Sequence, residues 1–363
     1  MRRVVKVSRI RIIITIIVVV LTTLLTGCTG KEPNEIAYVV ALGIDSTDDD
    51  NYKITIQYAN TTQISGGASE SGGKAGSEIV DNVTIEAPNI YAGVGLANNI
   101  VSKSFSMSHA KLIVFSKEIA EKGVKDMIET LVRSEEIRPD VFIAVANTTA
   151  NDYLTSVNPE MEVNPAQYYQ LIYQKNQLVG IPDGQLREFF TGLYTDNYDS
   201  ILPVAGVIEG AGGNSQNDDK GQSKDSQNEG SEGSSESLDS FESKNSDENE
   251  KEKDAEKNTS KYEYDIKNYV GGETAIEKKN KAEAIGAAVF EKDKMVGELG
   301  EVETEICKML KGDYTYSYLT YYNNDTPDIP ITVKTTQQKK PKYKIDTDKK
   351  TVDIESVSYT HLT

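Results

Sequence analysis

Between Gly210 and Ser260 the chain is built from Asp, Glu, Ser, Asn, Gly and Lys, and Leu238 and Phe241 are almost its only large apolar side chains. Such a stretch cannot bury enough surface to offset the entropy lost on ordering. Residues 210–283 are therefore read as a disordered acidic linker, with transient helix where Glu248–Lys257 alternates in sign. The linker helps explain a hydrophobic content of only 37%. Asp and Glu number 57 against 39 Lys and Arg, a formal net charge of −18. That acid excess excludes a protein that coats nucleic acid by neutralising phosphates. Two cysteines and two histidines leave too few ligands for a structural zinc site or a disulfide framework, and neither metal nor cofactor is expected.

The amino terminus carries the sharpest signal. Arg2, Arg3, Lys6, Arg9 and Arg11 precede a charge-free, mainly apolar stretch from Ile12 to Leu25. It is short for a bilayer core of about 30 Å and suits the apolar region of an export signal. The stretch closes on Leu25-Thr26-Gly27-Cys28, which resembles the bacterial lipobox. Small residues there admit a lipoprotein signal peptidase, and the Cys28 thiol takes the diacylglycerol. Residues 1–27 are thus the expected signal peptide, Cys28 the expected lipidation site, and the remainder an ectodomain tethered by its first residue. An uncleaved signal anchor with an incidental cysteine accounts for fewer of these features.

The mature chain reads as α+β, with antiparallel or mixed sheets flanked by helices. Ile36–Ile44 is a nearly continuous apolar run and Tyr52–Tyr58 alternates, which predicts an antiparallel hairpin. The acidic loop Asp45–Asp50 between them lacks the glycine and closing glutamate of an EF-hand and reads as a solvated turn. Ser65–Gly76 reads as a flexible excursion. A strand over 78–86 and a helix from Pro88 follow, the helix presenting Ile90, Val94, Ala97 and Val101 and weakened by Gly93 and Gly95. Further on come a strand over 111–115, one helix over 117–133 with Ile119, Met127, Ile128, Leu131 and Val132 inward, and a strand over 140–145. Two Tyr-rich helices, 165–178 and 185–194, place Tyr168, Leu171, Ile172 and Phe189 as packing residues rather than ligand contacts. After the linker, 284–290 and 295–297 form two strands around a charged turn. A helix over 301–311 brings Val302, Ile306, Met309 and Leu310 to the core with Cys307 beside them, and the rest is β-rich. The expected organisation is 28–209, linker 210–283, and 284–363.

No catalytic constellation emerges. The chain has no Gly-rich phosphate loop with its lysine and no serine elbow. Cys307 could pair only with His109 or His361, and it reads as a buried, inert thiol.

The cysteine motif followed by Asn34-Glu35-Ile36-Ala37-Tyr38-Val39-Val40-Ala41-Leu42-Gly43-Ile44-Asp45 resembles the opening of the Ger(x)C family, the lipoprotein C subunits of bacterial spore germination receptors. Three more stretches follow in family order: Ser108–Phe115, Arg133–Arg138, and Ile285–Phe290 with Asp293–Gly297. The resemblance implies a non-catalytic ectodomain on the outer face of the spore inner membrane. It also implies integral-membrane A and B subunits as partners in sensing nutrient germinants, and it does not say whether this subunit touches the germinant. The linker is longer than the family pattern needs. Val357–Thr363 does not continue that pattern and is read as a truncated or artefactual reading-frame end. The alternative from another class is a solute-binding lipoprotein of a transporter, which requires two α/β lobes around a cleft.

Overall fold

The structure is a computed structural model. It describes residues 11, 13–19, 35–49, 51–59, 80–159, 162, 164–174, 180–208, 264–265, 268–274, 280–323 and 326–362. The expected loop over 65–76 and the acidic stretch 210–260 lie outside them.

A nine-stranded mixed sheet dominates the molecule, in the order β10-β9-β7-β6-β5-β1-β2-β3 with β4 added beside β1. The strands are β1 (Ile36–Ser46), β2 (Tyr52–Ala59), β3 (Val80–Ala87), β4 (Ser104–Ser106), β5 (Leu112–Ser116), β6 (Phe142–Ala146), β7 (Ser200–Val207), β9 (Ala282–Glu291) and β10 (Lys294–Leu299). The centre, β1-β5-β6-β7, is parallel. Both flanks are antiparallel hairpins, β1-β2-β3 on one side and β7-β9-β10 on the other. Burial explains the centre: all five residues of β5 and of β6 are buried, as a strand covered on both faces requires.

Helices supply those covers. On one face Ile90 and Val94 of α1 (Ile90–Ala97), Ile119 of α2 (Lys117–Lys122), Ile128 and Leu131 of α3 (Lys125–Val132) and Phe189 of α6 (Leu186–Leu193) pack on Leu42, Ile54, Ile113, Ile143 and Leu202. On the other face α4 (Ala150–Ser156) and α5 (Pro165–Gln174) bring Tyr153, Leu154, Tyr169 and Tyr173 against Leu112, Val114, Phe142 and Ala144.

A second antiparallel sheet, in the order β13-β12-β11-β8, is made of β8 (Tyr264–Asp265), β11 (Tyr316–Asn323), β12 (Thr326–Asp346) and β13 (Thr351–Leu362). Helix α7 (Glu301–Lys311) connects the two sheets.

Several expectations need correcting. The single helix over 117–133 is two, because Gly123 sits at φ +124° and a Cβ there would lie 2.7 Å from the Asp293 carboxylate. Val132 and Leu171 point outward, with exposures of 40% and 41%. Tyr169 and Tyr173 occupy the interior instead of Leu171, since their hydroxyls find partners there: Tyr169 donates to Gln57 Oε1 at 2.5 Å and Tyr173 pairs with Tyr153 at 3.0 Å. Strand β7 and helix α4 are additional to the elements expected from periodicity. Asp45 is not in a solvated turn: only 4% exposed, it accepts from the amides of Ala150 at 2.6 Å and Asn151 at 3.0 Å. Helix α7 turns the other way, burying Thr304, Glu305 and Lys308 and leaving Ile306 48% exposed.

The two glycines of α1 differ. A Cβ on Gly93 would sit 2.6 Å from Ile54 Cδ1, so a larger residue there would have to displace the end of the Ile54 side chain on the sheet. A Cβ on Gly95 would meet nothing within 4 Å.

Residues 268–274 fall within the expected linker, yet they are fastened to the sheet. Gly271 N donates to Ile285 O at 3.0 Å, and Asn147 Nδ2 donates to Gly271 O at 2.6 Å. Gly206 of β7 faces this segment, and a Cβ on it would fall 2.0 Å from the backbone of Gly271 and Gly272. Two backbones cannot yield as a flexible side chain can, so Gly206→Ala is expected to cost roughly 2–3 kcal/mol. Thermal unfolding should show a melting temperature at least about 4 °C lower, while Gly95→Ala gains about 0.5–1 kcal/mol. Equal melting temperatures for both variants would show that 268–274 does not dock there.

Candidate functional site

The residues singled out by sequence fall at three places. The first is the amino-terminal end. Residues 13–19 are helical, and Ile13, Ile14, Ile16, Ile17, Val18 and Val19 are all more than half exposed. Among the described residues no helix is long and apolar enough to cross a membrane. Cys28 lies outside the described residues.

The second place is the end of the sheet where β1 begins. The Arg133–Arg138 segment is tied here to the residue just before Ser108–Phe115: Met107 N donates to Glu136 Oε2 at 2.6 Å. His109 packs edge-on against Tyr38 with ring centroids 4.8 Å apart, and its Nδ1 lies 3.0 Å from Ser108 Oγ. Arg138 reaches Asp140 at 2.9 Å, which holds the Asp140 carboxyl below its ordinary range. Ser134 Oγ accepts from Glu136 N and Ile137 N, fixing the turn that carries Glu136. These residues build a brace between β4, β5 and α3.

The opposite end of the parallel strands is where open α/β sheets keep their ligands. Here part of it is taken up from within: Asp45 caps α4, and Asn151 Nδ2 donates to Thr55 Oγ1 at 2.9 Å and Thr84 Oγ1 at 3.0 Å, while a cavity of about 270 Å³ beside it is lined by Ser46, Thr47, Tyr52, Ile119 and Lys122. Burial pushes the Asp45 carboxyl up, and the two amide bonds pull against that shift. The anion-binding corner is thus occupied by the chain's own carboxylate.

The third place is the junction of α7 with the large sheet. A cavity of about 420 Å³ is lined by Asp183, Glu188, Tyr198, Lys308, Asp313 and Tyr314 among others. Lys308 Nζ donates to Ile181 O at 2.9 Å, and Ser317 donates to Glu305 Oε1. Glu305 Oε2 is buried with no hydrogen-bond partner. Burial pushes the Glu305 carboxyl up to about 7 and the Lys308 ammonium down to about 8. Cys307, half-buried rather than buried, lies on the same helix. The His361 side chain is outside what is described. Among the described residues no group of three or more His, Cys, Asp or Glu could hold a metal ion.

The hairpin β9-β10 also belongs to this junction. Gly286, at φ +83°, lets its amide donate to Gly180 O at 2.9 Å, and a Cβ would strike Leu299 O at 2.6 Å. At the hairpin turn Asp293 O accepts from Val124 N at 3.0 Å, and Glu298 pairs with Lys117 at 3.0 Å. Gly286, the backbone carbonyl of Asp293 and Glu298 therefore serve the joint between the two halves of the chain.

Architecture and sites together define an α/β scaffold with braced ends, whose polar side chains are spent on joining its own elements. Two family sequence models match the chain: the spore germination protein N-terminal domain over residues 30–207, and the spore germination B3/GerAC-like C-terminal domain over residues 285–358. The chain belongs to this spore germination family. It is similar to spore germination protein KC of Bacillus subtilis (strain 168), 26% identical over 174 residues, which is 44% of this chain and 42% of that protein. It is also similar to the putative spore germination protein YfkR of the same organism, 28% identical over 145 residues, 40% and 37% of the two chains. Spore germination protein B3, again of B. subtilis, is 26% identical over 148 residues, 38% and 36%. The chain thus spans about two fifths of the length of the curated relatives it matches. No solved structure matches it.

Glu305 supplies a pH test. Its carboxyl holds a proton in the folded state up to about pH 7, whereas the unfolded chain releases it near 4.5. Stability from this group is therefore present below pH 4.5, is lost as pH rises toward 7, and stays lost above. Glu305→Gln should stabilise the protein at pH 8 by roughly 1–2 kcal/mol and leave it unchanged at pH 4. Denaturant titrations at both values check this, and equal effects at both would contradict the assignment.

Proposed function

We propose that the chain is a non-catalytic lipoprotein C subunit of a nutrient germinant receptor. It is held by lipid on Cys28 at the extracytoplasmic face of the spore inner membrane and works in a complex with integral-membrane A and B subunits. The observation that carries this reading is the ordered pair of family matches, 30–207 and 285–358, on either side of the acidic stretch. A charged amino-terminal region, an apolar helical segment and the Gly27-Cys28 junction support the anchor. A single lipid-modified residue localises a protein but conducts no ions, so the ectodomain acts through contact with partners that cross the bilayer.

The solute-binding alternative gains something from the parallel centre of the sheet, yet it loses more. In place of two α/β lobes the described residues form one nine-stranded mixed sheet and a separate four-stranded antiparallel sheet, and Asp45 occupies the amides of α4 at the strand ends.

Deleting the gene in its native spore former and following ion release with each nutrient tests the proposal. At least one nutrient response should be lost, and the tagged chain should co-purify with two polytopic subunits from spore membranes. Undiminished responses to every nutrient, with no such subunits recovered, would refute it. Mass spectrometry of the mature amino terminus should find a lipid-modified Cys28, and an intact Met1 would refute the anchor.

A further inference from the structure

Gly95 has no internal reason to be glycine. It lies in the middle of α1, where glycine weakens a helix relative to alanine. Its φ is not in the left-handed region, and a Cβ there would meet nothing within 4 Å. It lines an open groove of about 720 Å³ between α1 and the 133–136 turn. The floor is apolar, formed by Val94, Phe105 and Met107, with Tyr91 on the wall and Arg133 and Glu135 at the rim. Tyr91, in its lining, is exposed by 40%, and Leu96 and Ile100, in α1 and the turn after it, by 47% and 66%.

The groove is held rigidly. Asn98 Oδ1 at the end of α1 accepts from Phe105 N at 2.8 Å, and Glu136 accepts from Met107 N at 2.6 Å. Its position relative to the anchor follows from strand direction. Ile36 pairs with Ser104 and Ala37 with Phe105, so the groove floor lies beside the first residues of β1. Helix α1 runs back from the far end of β3 and delivers Leu96 and Ile100 to the same side. Only six residues lie between Cys28 and Glu35, seven Cα–Cα steps that reach at most about 25 Å. With lipid on Cys28, this end of the molecule stays at the bilayer surface.

We infer that the groove between α1 and the 133–136 turn is the docking surface for an apolar extracytoplasmic segment of an integral-membrane subunit, and that Gly95 keeps its mouth open. The inference rests on the receptor reading above and gives it a contact surface. A trough with rim charges of both signs suits a polypeptide segment better than a flat sheet of lipid headgroups. The short tether limits the choice of polypeptides to those exposed at the membrane face.

A photoreactive benzoylphenylalanine in place of Gly95, in the full lipidated chain within native spores, identifies the occupant. The expected product is a crosslink to a polytopic subunit. A crosslink to lipid, to a second copy, to the 60–79 connection of the same chain, or to nothing would overturn the proposal. In parallel, Gly95→Arg should slow nutrient-triggered ion release at least tenfold with normal amounts of the chain in the membrane fraction, and Gly95→Ala should respond normally. If Gly95→Arg spores respond normally while gene deletion abolishes the response, the groove is wrong and the receptor reading stands. If deletion also has no effect, the receptor reading itself has failed.

Discussion

The antiparallel pairing of β7 with β9 is the constraint on which the rest of the molecule depends. It hydrogen-bonds Ser200–Val207 to Ala282–Phe290, strands that flank the long acidic stretch, and so makes one sheet from both family-matched segments. Without β9 the buried residues Leu202, Val204 and Ala205 would sit on an open edge with unpaired amides. Closing a long connection costs little more than closing a short one, about 0.6 kcal/mol per doubling of length. A polar insertion of this size is therefore tolerable provided its ends are fixed. They are fixed by Gly206 against Gly271, by Asn147 against Gly271, and by Asp293 and Glu298 against Val124 and Lys117.

Periodicity made much of this fold legible. The hairpin Ile36–Ser46/Tyr52–Ala59, the strands at 112–116 and 142–146, and the hairpin at 282–299 were readable because apolar runs of strand length sit between turn signals. The misreadings share a cause, since each involves a polar or small residue whose partner lies far along the chain. Asp45 looked solvated because the amides it caps, at 150 and 151, are more than a hundred residues away. Helix α7 buries a face that its apolar stripe does not mark, because Lys308 donates to Ile181 O and Glu305 Oε1 accepts from Ser317, while Glu305 Oε2 stays unpartnered. Gly123 ended a helix that its apolar spacing would have continued.

The sites show the same division. The family-like segments were visible as segments, but their roles were not: Glu136 braces Met107, Gly286 admits Gly180, and Asp293 seats on Val124. None of these contacts is local enough to be read from spacing. In the fold these segments serve joints between elements. Gly95 is the exception, the one motif-independent residue that sequence marked as a weakness of α1 and that the packing leaves unexplained.

The ectodomain is proposed to act by contact at the membrane surface, with the lipid serving only to keep it there. Exchanging residues 1–28 for an unrelated single-span signal anchor with a spacer of matched length, in spores lacking the native gene, tests that claim directly. Nutrient-triggered ion release should return to the level given by the native chain. A chain present at the membrane in normal amount, correctly folded and exposed on the outer face, yet unable to restore release, would contradict it.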